Sequence, residues 1–135
     1  MRALTLHRPE DIHFESVPDP EILDPGDVIV QVTDTAICGS DLHVYFGREK
    51  GLDAGTTMGH EFTGIIVARG KGVTTLREGM RVISPFTTSC GTCYYCRIGL
   101  TARCTRGQLF GWVAAGNGLQ GGQAELVRVP LQNPP

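Results

Sequence analysis

Four cysteines lie close together in the second half of the chain, separated by two, two and seven residues: Cys90, Cys93, Cys96 and Cys104. Four thiolates can occupy the corners of a tetrahedron around one Zn²⁺, and this closed shell leaves no position for a substrate. A common iron–sulfur spacing ends with a cysteine three residues further on and before a proline, whereas Thr105 follows Cys104 here. The spacing predicts a structural zinc site. Free thiols, an iron–sulfur cluster and disulfides are the alternatives.

The segment that carries these cysteines, residues 88–107, has little apolar patterning. We therefore expect metal binding to supply most of the free energy that orders this lobe. Four thiolates and one Zn²⁺ have a net charge of −2. Arg97, Arg103 and Arg106 are nearby in sequence and can partly offset that charge.

A second set of potential ligands is spread along the first half of the chain. Cys38 follows a predicted strand, and His60 and Glu61 open another. Three protein ligands around Zn²⁺ leave a fourth position for a substrate oxygen, which is the arrangement of a catalytic site. The residues alone leave a second interpretation open, in which Cys38 and His60 are ordinary core residues. Glu61, next to His60, adds only a little support for the catalytic-site interpretation, because consecutive strand residues usually point to opposite faces.

The elements around these residues are mostly strands. Alternation of Val28, Val30 and Val32 with polar positions predicts a strand that leads directly to Cys38. Ser40 is predicted to be the N-cap of a short helix that Gly47 ends. Further strands are predicted over residues 1–7, 12–18, 58–70, 80–86 and 124–130. This pattern predicts a mainly β fold, a distorted barrel with an appended lobe, and residues 131–135 are interpreted as part of a linker.

Composition narrows the function classes. The chain has 135 residues, a formal net charge of −2 and 41% hydrophobic residues, which together indicate one ordered domain. The charge balance gives no basic footprint for nucleic acid. No apolar run approaches the length of a membrane span, and the first residues lack the apolar core of a signal peptide. We expect a cytoplasmic protein with no nucleic-acid or membrane partner.

Three motifs carry a family resemblance. They are Gly59-His60-Glu61-x2-Gly64-x5-Gly70-x2-Val73, the run from Cys38 to His43, and Gly79-Met80-Arg81-Val82, in which Met80 replaces the usual acid. Together with the four-cysteine spacing, they resemble the zinc-dependent medium-chain alcohol dehydrogenases. The resemblance covers essentially the whole chain. It implies a GroES-like catalytic domain over residues 1–135, with its structural zinc lobe at about residues 88–107.

The resemblance also implies roles for individual residues. Cys38 and His60 become ligands of a catalytic zinc, and Glu61 becomes a ligand or a close neighbour that exchanges with water. Ser40 resembles the hydroxyl that hydrogen-bonds the substrate alcohol, and His43 resembles the next member of a proton relay. The implied reaction oxidises a small alcohol or polyol to an aldehyde or ketone by hydride transfer to NAD or NADP. The full-length enzyme is expected to be a homo-oligomer.

No dinucleotide-binding unit is expected in this chain. Gly116–Gly121 matches G-x-G-x-x-G, but that motif must follow a strand and open a helix, and here a predicted strand follows. We interpret these glycines as a hairpin-type loop and the chain as an N-terminal fragment that lacks a further zinc ligand. One alternative is a non-catalytic zinc-binding or interaction module. Another is a reductase-type relative without catalytic metal, against which Cys38 and His60 argue.

Overall fold

The computed structural model describes residues 1–130, which contain nine strands, two short α-helices and one 3-10 helix. The strands are β1 (Arg2–Arg8), β2 (Asp11–Ser16), β3 (Asp27–Thr35), β4 (Thr56–Thr57), β5 (Phe62–Arg69), β6 (Arg81–Ser84), β7 (Trp112–Ala114), β8 (Asn117–Leu119) and β9 (Leu126–Pro130). The helices are α1 (Gly39–Tyr45), α2 (Tyr94–Arg97) and the 3-10 helix Thr101–Arg103. No helix in this part of the chain is long and apolar enough to cross a membrane.

The strands form three antiparallel sheets. Their strand orders are β2-β1-β4, β6-β5-β3-β9 and β7-β8. The predicted mainly β fold is confirmed, but the sheets of residues 1–130 do not close into one barrel. The pairing of β3 with β5 contains two register shifts, and such irregularities bend a sheet locally. The predicted linker at residues 131–135 lies outside the described residues.

The hydrophobic core lies on the four-stranded sheet. Val28 and Val30 of β3 are almost fully buried, as their alternation predicts, and Ile66 of β5 packs in the same cluster. Ile29, on the opposite face of β3, is also buried, so both faces of this strand are covered near its start. The rings of Phe62 and Phe110 meet edge to face at 5.1 Å and connect the sheet to the segment that follows the cysteine lobe.

The start of α1 differs from the prediction. The N-cap is Cys38, whose backbone is extended, and Ser40 is the second helical residue. The side chain of Asp41 accepts a hydrogen bond from the Cys38 backbone N–H at 2.8 Å. This bond fixes where the helix begins and leaves the Ser40 hydroxyl free to point elsewhere. Gly47, with φ of +66°, follows the helix end as predicted.

Candidate metal centre and the adjoining cavity

The four clustered cysteines converge on one point. Their Sγ atoms all lie within 4.8 Å of one another, and the Cys90–Cys96 and Cys93–Cys104 pairs are each 4.0 Å apart. Zinc–sulfur bonds of about 2.3 Å in a tetrahedron place the sulfurs about 3.8 Å apart, so the observed spacing fits Zn²⁺. All five cysteines are unpaired, so the disulfide alternative finds no support.

Hydrogen bonds to sulfur prepare this cluster for a cation. The Thr92 hydroxyl, followed by the backbone N–H of Cys93, lowers the pKa of Cys90 to about 5. Of the three nearby arginines, Arg106 reaches this region: its Nη2 donates to Thr92 Oγ1 at 2.8 Å, and the Cys90 sulfur raises its pKa. The Cys90 side chain is therefore a thiolate at neutral pH, which is the form that binds metal.

Two other thiols of the cluster have pKa values shifted in opposite directions. Backbone N–H groups, first that of Cys96, lower the pKa of Cys93 to about 7. Burial raises the pKa of Cys96 to about 11. Metal binding must therefore displace a proton from Cys96 throughout the physiological pH range.

The second predicted set also comes together in space. Cys38 lies between β3 and α1, whereas His60 and Glu61 lie just before β5, and one ligand atom from each falls within 4.8 Å of the others. The expectation that Glu61 and His60 point to opposite faces of a strand is wrong, because β5 begins only at Phe62. Gly59, with φ of +92°, turns the chain just before the pair.

The glycine-rich segment that mimics a nucleotide motif forms a hairpin and then supports this site. Asn117–Leu119 is the strand β8, paired with β7, and Gly116 lies in the turn between them. Beyond the hairpin, Gly121 N–H donates to the carbonyl of Thr57 at 2.9 Å. A Cβ on Gly121 would lie 2.1 Å from the carbonyl oxygen of Met58, so only glycine allows this close approach. The segment therefore holds the backbone immediately ahead of His60.

Asp41 and Gln123 complete the site, and sequence reasoning missed both. Asp41 Oδ1 lies 3.4 Å from His60 Nδ1, and both side chains are largely buried. Gln123 Nε2 donates to Asp41 Oδ2 at 3.4 Å and to the Ala36 carbonyl at 3.3 Å. A carboxylate on the second ring nitrogen orients a metal-binding histidine. An acid three residues after an N-cap is a recognisable local signal, whereas Gln123 has none, because its partners are far away in sequence.

The two predicted relay residues share one helix. Ser40 Oγ lies 3.1 Å from His60 Nε2, at the opposite side of the ring from Asp41. His43 is three residues further along α1, a spacing that places two side chains on the same helix face, and its side chain is exposed. Within residues 1–130 the His43 side chain makes no hydrogen bond.

A cavity of about 270 Å³ adjoins Ser40 and His60. Its walls are otherwise mostly apolar and include Val44, Met58, Phe86, Phe110 and Trp112. A larger cavity, of about 450 Å³, lies away from both cysteine-containing sites, beside Pro18 and Leu126. We take the smaller cavity as the candidate substrate pocket, because Ser40 and the candidate ligand His60 both line it.

The donor set at Cys38, His60 and Glu61 also fits Zn²⁺. Thiolate, imidazole and carboxylate are its usual protein ligands, and tetrahedral zinc places a sulfur and a nitrogen ligand about 3.6 Å apart. The observed limit of 4.8 Å permits that spacing with small side-chain movements. Three ligands leave a fourth position open, in contrast to the closed four-cysteine set, and one of the three, His60, also lines the cavity.

The fold is thus a small β domain with two sets of metal ligands. The four cysteines close one set, whereas the other leaves one coordination position open, as a metal-dependent enzyme needs for its substrate. The chain belongs to the alcohol dehydrogenase GroES-like domain family, which matches residues 24–133.

Two curated relatives have similar sequences. Zinc-type alcohol dehydrogenase B of Aspergillus flavus is 48% identical over 130 residues, which cover 96% of this chain and 29% of the relative. The medium chain reductase/dehydrogenase ucsI of Acremonium sp. is 47% identical over 131 residues, 97% of this chain and 44% of the relative. The chain thus spans less than half of the length of these relatives.

Solved structures show the same fold. Alcohol dehydrogenase TADH from Thermus sp. ATN1 superposes with a TM-score of 0.90 and 41% identity, over 96% of this chain and 37% of that one. The rspB alcohol dehydrogenase of Escherichia coli CFT073, complexed with NADH, has a TM-score of 0.75 and 36% identity, over 98% and 37%. A zinc-binding dehydrogenase of Sinorhizobium meliloti 1021 bound to NADP has a TM-score of 0.77 and 33% identity, over 96% and 36%.

Proposed function

We propose that this chain forms the zinc-binding, substrate-side domain of an alcohol or polyol dehydrogenase that uses NAD or NADP. The observation that carries the proposal is the convergence of Cys38, His60 and Glu61 beside an apolar cavity, with the Ser40 hydroxyl 3.1 Å from His60 Nε2. Relatives with zinc-type alcohol dehydrogenase names and nicotinamide-bound structural neighbours support the reaction class.

Oxidation of an alcohol removes a hydride from the carbinol carbon and a proton from its hydroxyl, leaving an aldehyde or ketone. The hydride goes to the nicotinamide ring of NAD or NADP, which this proposal places on a separate domain. In this proposal, the proton leaves through residues of this chain. Zinc held by Cys38, His60 and Glu61 would lower the pKa of the alcohol hydroxyl.

In this proposal, Ser40 and His43 take successive parts in proton removal. Ser40 Oγ is placed to accept the proton from the substrate hydroxyl, since it lies at the cavity edge. His43, on the same face of α1 and exposed, is placed to exchange that proton with solvent. Asp41 holds the His60 ring through Nδ1, so that Nε2 faces Ser40.

The wider proposal concerns the whole protein. Residues 1–135 form the GroES-like catalytic domain, with the structural zinc lobe at about residues 88–107 and the nucleotide-binding domain elsewhere. The substrate is a small alcohol or aldehyde, and the full-length enzyme is a homo-oligomer. We place it in the cytoplasm, where cysteines that bind zinc stay reduced before the metal arrives.

The test uses the full-length protein with zinc, a panel of small alcohols and polyols, and NAD or NADP. Absorbance of the reduced nicotinamide should increase, and Cys38→Ala or His60→Ala should abolish the increase. Ser40→Ala should lower kcat about 100-fold or more, because it removes the proton acceptor. Thr74→Ala, on an exposed loop, is the matched control and should have no effect.

The pH dependence of kcat shows whether His43 acts in a proton relay or has only a structural role. His43→Gln should lower kcat most at low pH, where the solvent offers little base to take the proton. Added imidazole should restore part of the rate. Activity that survives both Cys38→Ala and His60→Ala would contradict the catalytic-zinc assignment. Absence of turnover with every alcohol, despite zinc in both sites, would favour the non-catalytic zinc module.

A further inference from the structure

A third group of ligand-type side chains lies on the hairpin of β1 and β2, away from both cysteine-containing sites. One donor atom from each of His7, His13 and Glu15 falls within 4.8 Å of the others. We propose that this cluster binds one late first-row divalent cation, with Zn²⁺ as the reference ion, and thereby fastens β2 to β1.

The strand register and local contacts explain why the three side chains meet. Thr5 of β1 is paired with His13 of β2, and His7 and Glu15 lie two residues beyond them on their respective strands. The register shifts between Leu6 and Arg8, so contacts rather than alternation place the His7 side chain. Its Nε2 lies 3.2 Å from the Thr5 hydroxyl, which also donates to Glu15, and its ring packs against that of His13. Because Thr5 is small, His7 and Glu15 lean toward each other above it, and His7 Nε2 lies 2.7 Å from Glu15 Oε1.

The distances suit a tetrahedral ion. Zinc bonds of about 2.0–2.1 Å to nitrogen and oxygen place ligand atoms about 3.3 Å apart. The His7–Glu15 contact is shorter than this value, and the other spacings are at most 4.8 Å. Small side-chain rotations therefore convert the present hydrogen bond into two metal bonds, while a water molecule fills the fourth position.

Neighbouring groups hold the ligands in place. The Thr5 hydroxyl, fully buried, donates to Glu15 Oε1. Asp11 Oδ1 lies 2.9 Å from His13 Nε2, and Arg8 donates to the other oxygen of Asp11 at 2.9 Å. The rings of His7 and His13 are 4.2 Å apart at their centroids. Supporting hydrogen bonds of this kind tune metal affinity at known sites.

The donor set selects the ion. Two imidazoles with one carboxylate suit Zn²⁺, Ni²⁺ and Cu²⁺, whereas Mg²⁺ and Ca²⁺ prefer oxygen ligands only. The three ligands are partly exposed, so an ion can enter from solvent. β2 is an edge strand of its sheet, paired only with β1 among the described strands, and a metal bridge between them would stabilise that edge.

The experiment titrates Zn²⁺ into full-length protein whose two cysteine-containing sites are already loaded with zinc, using calorimetry. We expect one further equivalent to bind, and the C2–H NMR signals of His7 and His13 to shift together. His7→Gln and His13→Gln should each weaken this binding at least about tenfold, because each removes one of three ligands. Mg²⁺ at the same concentration should leave both signals in place.

Glu15→Gln and Glu10→Gln form a matched pair on the same hairpin. Glu15→Gln should weaken binding as strongly as the histidine variants, whereas Glu10→Gln should not change it. No uptake at about 100 μM Zn²⁺ would overturn the proposal, as would uptake unchanged in both histidine variants. Histidine signals that stay in place while zinc binds would also overturn it, because they would locate the ion elsewhere.

Discussion

The carboxylate of Asp41 contacts both His60 and the residue that precedes its own helix. Its Oδ1 lies 3.4 Å from His60 Nδ1, and its Oδ2 accepts the Cys38 backbone N–H at 2.8 Å. A single buried side chain thus orients one candidate ligand and fixes the backbone of another. Gln123 holds this carboxylate from the opposite end of the chain.

Asp41→Asn should weaken zinc binding at Cys38 and His60 by about 10- to 100-fold, because it removes the charge behind the histidine ring while keeping an oxygen for the helix cap. Competition with a zinc chelator, followed by metal analysis, measures the change. The four-cysteine zinc should be retained. Asp34→Asn, at an exposed carboxylate, is the control. Equal zinc retention by the two variants would show that Asp41 does not support the site.

Gly121→Ala should destabilise the protein by about 2 kcal/mol or more, since its Cβ would clash with the Met58 carbonyl and displace the backbone ahead of His60. Gly39→Ala is the control, because a Cβ there meets nothing within 4 Å. Thermal unfolding of both variants measures the difference. A Tm for Gly121→Ala equal to that of Gly39→Ala would exclude the close packing described above.

Mild chelation should release zinc from the Cys38 site before the four-cysteine site. The first has three protein ligands within this chain and an open position, whereas the second is closed by four thiolates. Timed metal analysis during chelator treatment gives the order of release. Cys93→Ser should reverse that order and expose residues 88–107 to proteolysis. Simultaneous release from the unmodified protein would contradict the assignment of the two sites.

Zinc uptake by the metal-free four-cysteine cluster should release at most about three protons at pH 6 and at most about two at pH 8. Cys90, with its pKa lowered to about 5, has already lost its proton at pH 6, and Cys93, at about 7, loses its own before pH 8. Cys96, at about 11, still releases one at both pH values.

The same shifts determine how the metal-free fold depends on pH. A thiol with a depressed pKa stabilises the folded state above its unfolded pKa, and this contribution is lost as the pH falls through the folded value. For Cys90 that window extends from about 9 down to about 5. The proton count is tested by calorimetry of zinc binding in buffers of different ionisation enthalpy. Cys38→Ser and His60→Gln, together with His7→Gln and His13→Gln, confine uptake to the four-cysteine cluster. Release of nearly four protons at both pH values would show that the thiols have ordinary pKa values.

Local spacing carried much of the information about this protein. The separation of Cys90, Cys93, Cys96 and Cys104 predicted their convergence, because short loops bring such residues together whatever the rest of the fold does. Alternation along residues 28–32 predicted the central strand β3, because a pleated strand repeats every two residues. The motifs from Cys38 to Val82 led to the family, which the comparisons confirm.

Only the tertiary structure decided how the second site is assembled. Ser40 was predicted to cap α1, but the Asp41 bond to Cys38 moves the helix start and leaves the hydroxyl beside His60. Sequence pattern could not place Gln123 against Asp41, nor Gly121 against the backbone before His60. These contacts join segments more than sixty residues apart, and their geometry depends on how separate sheets pack. Local periodicity reports the conformation of one segment, whereas a binding site is defined by the distances between segments.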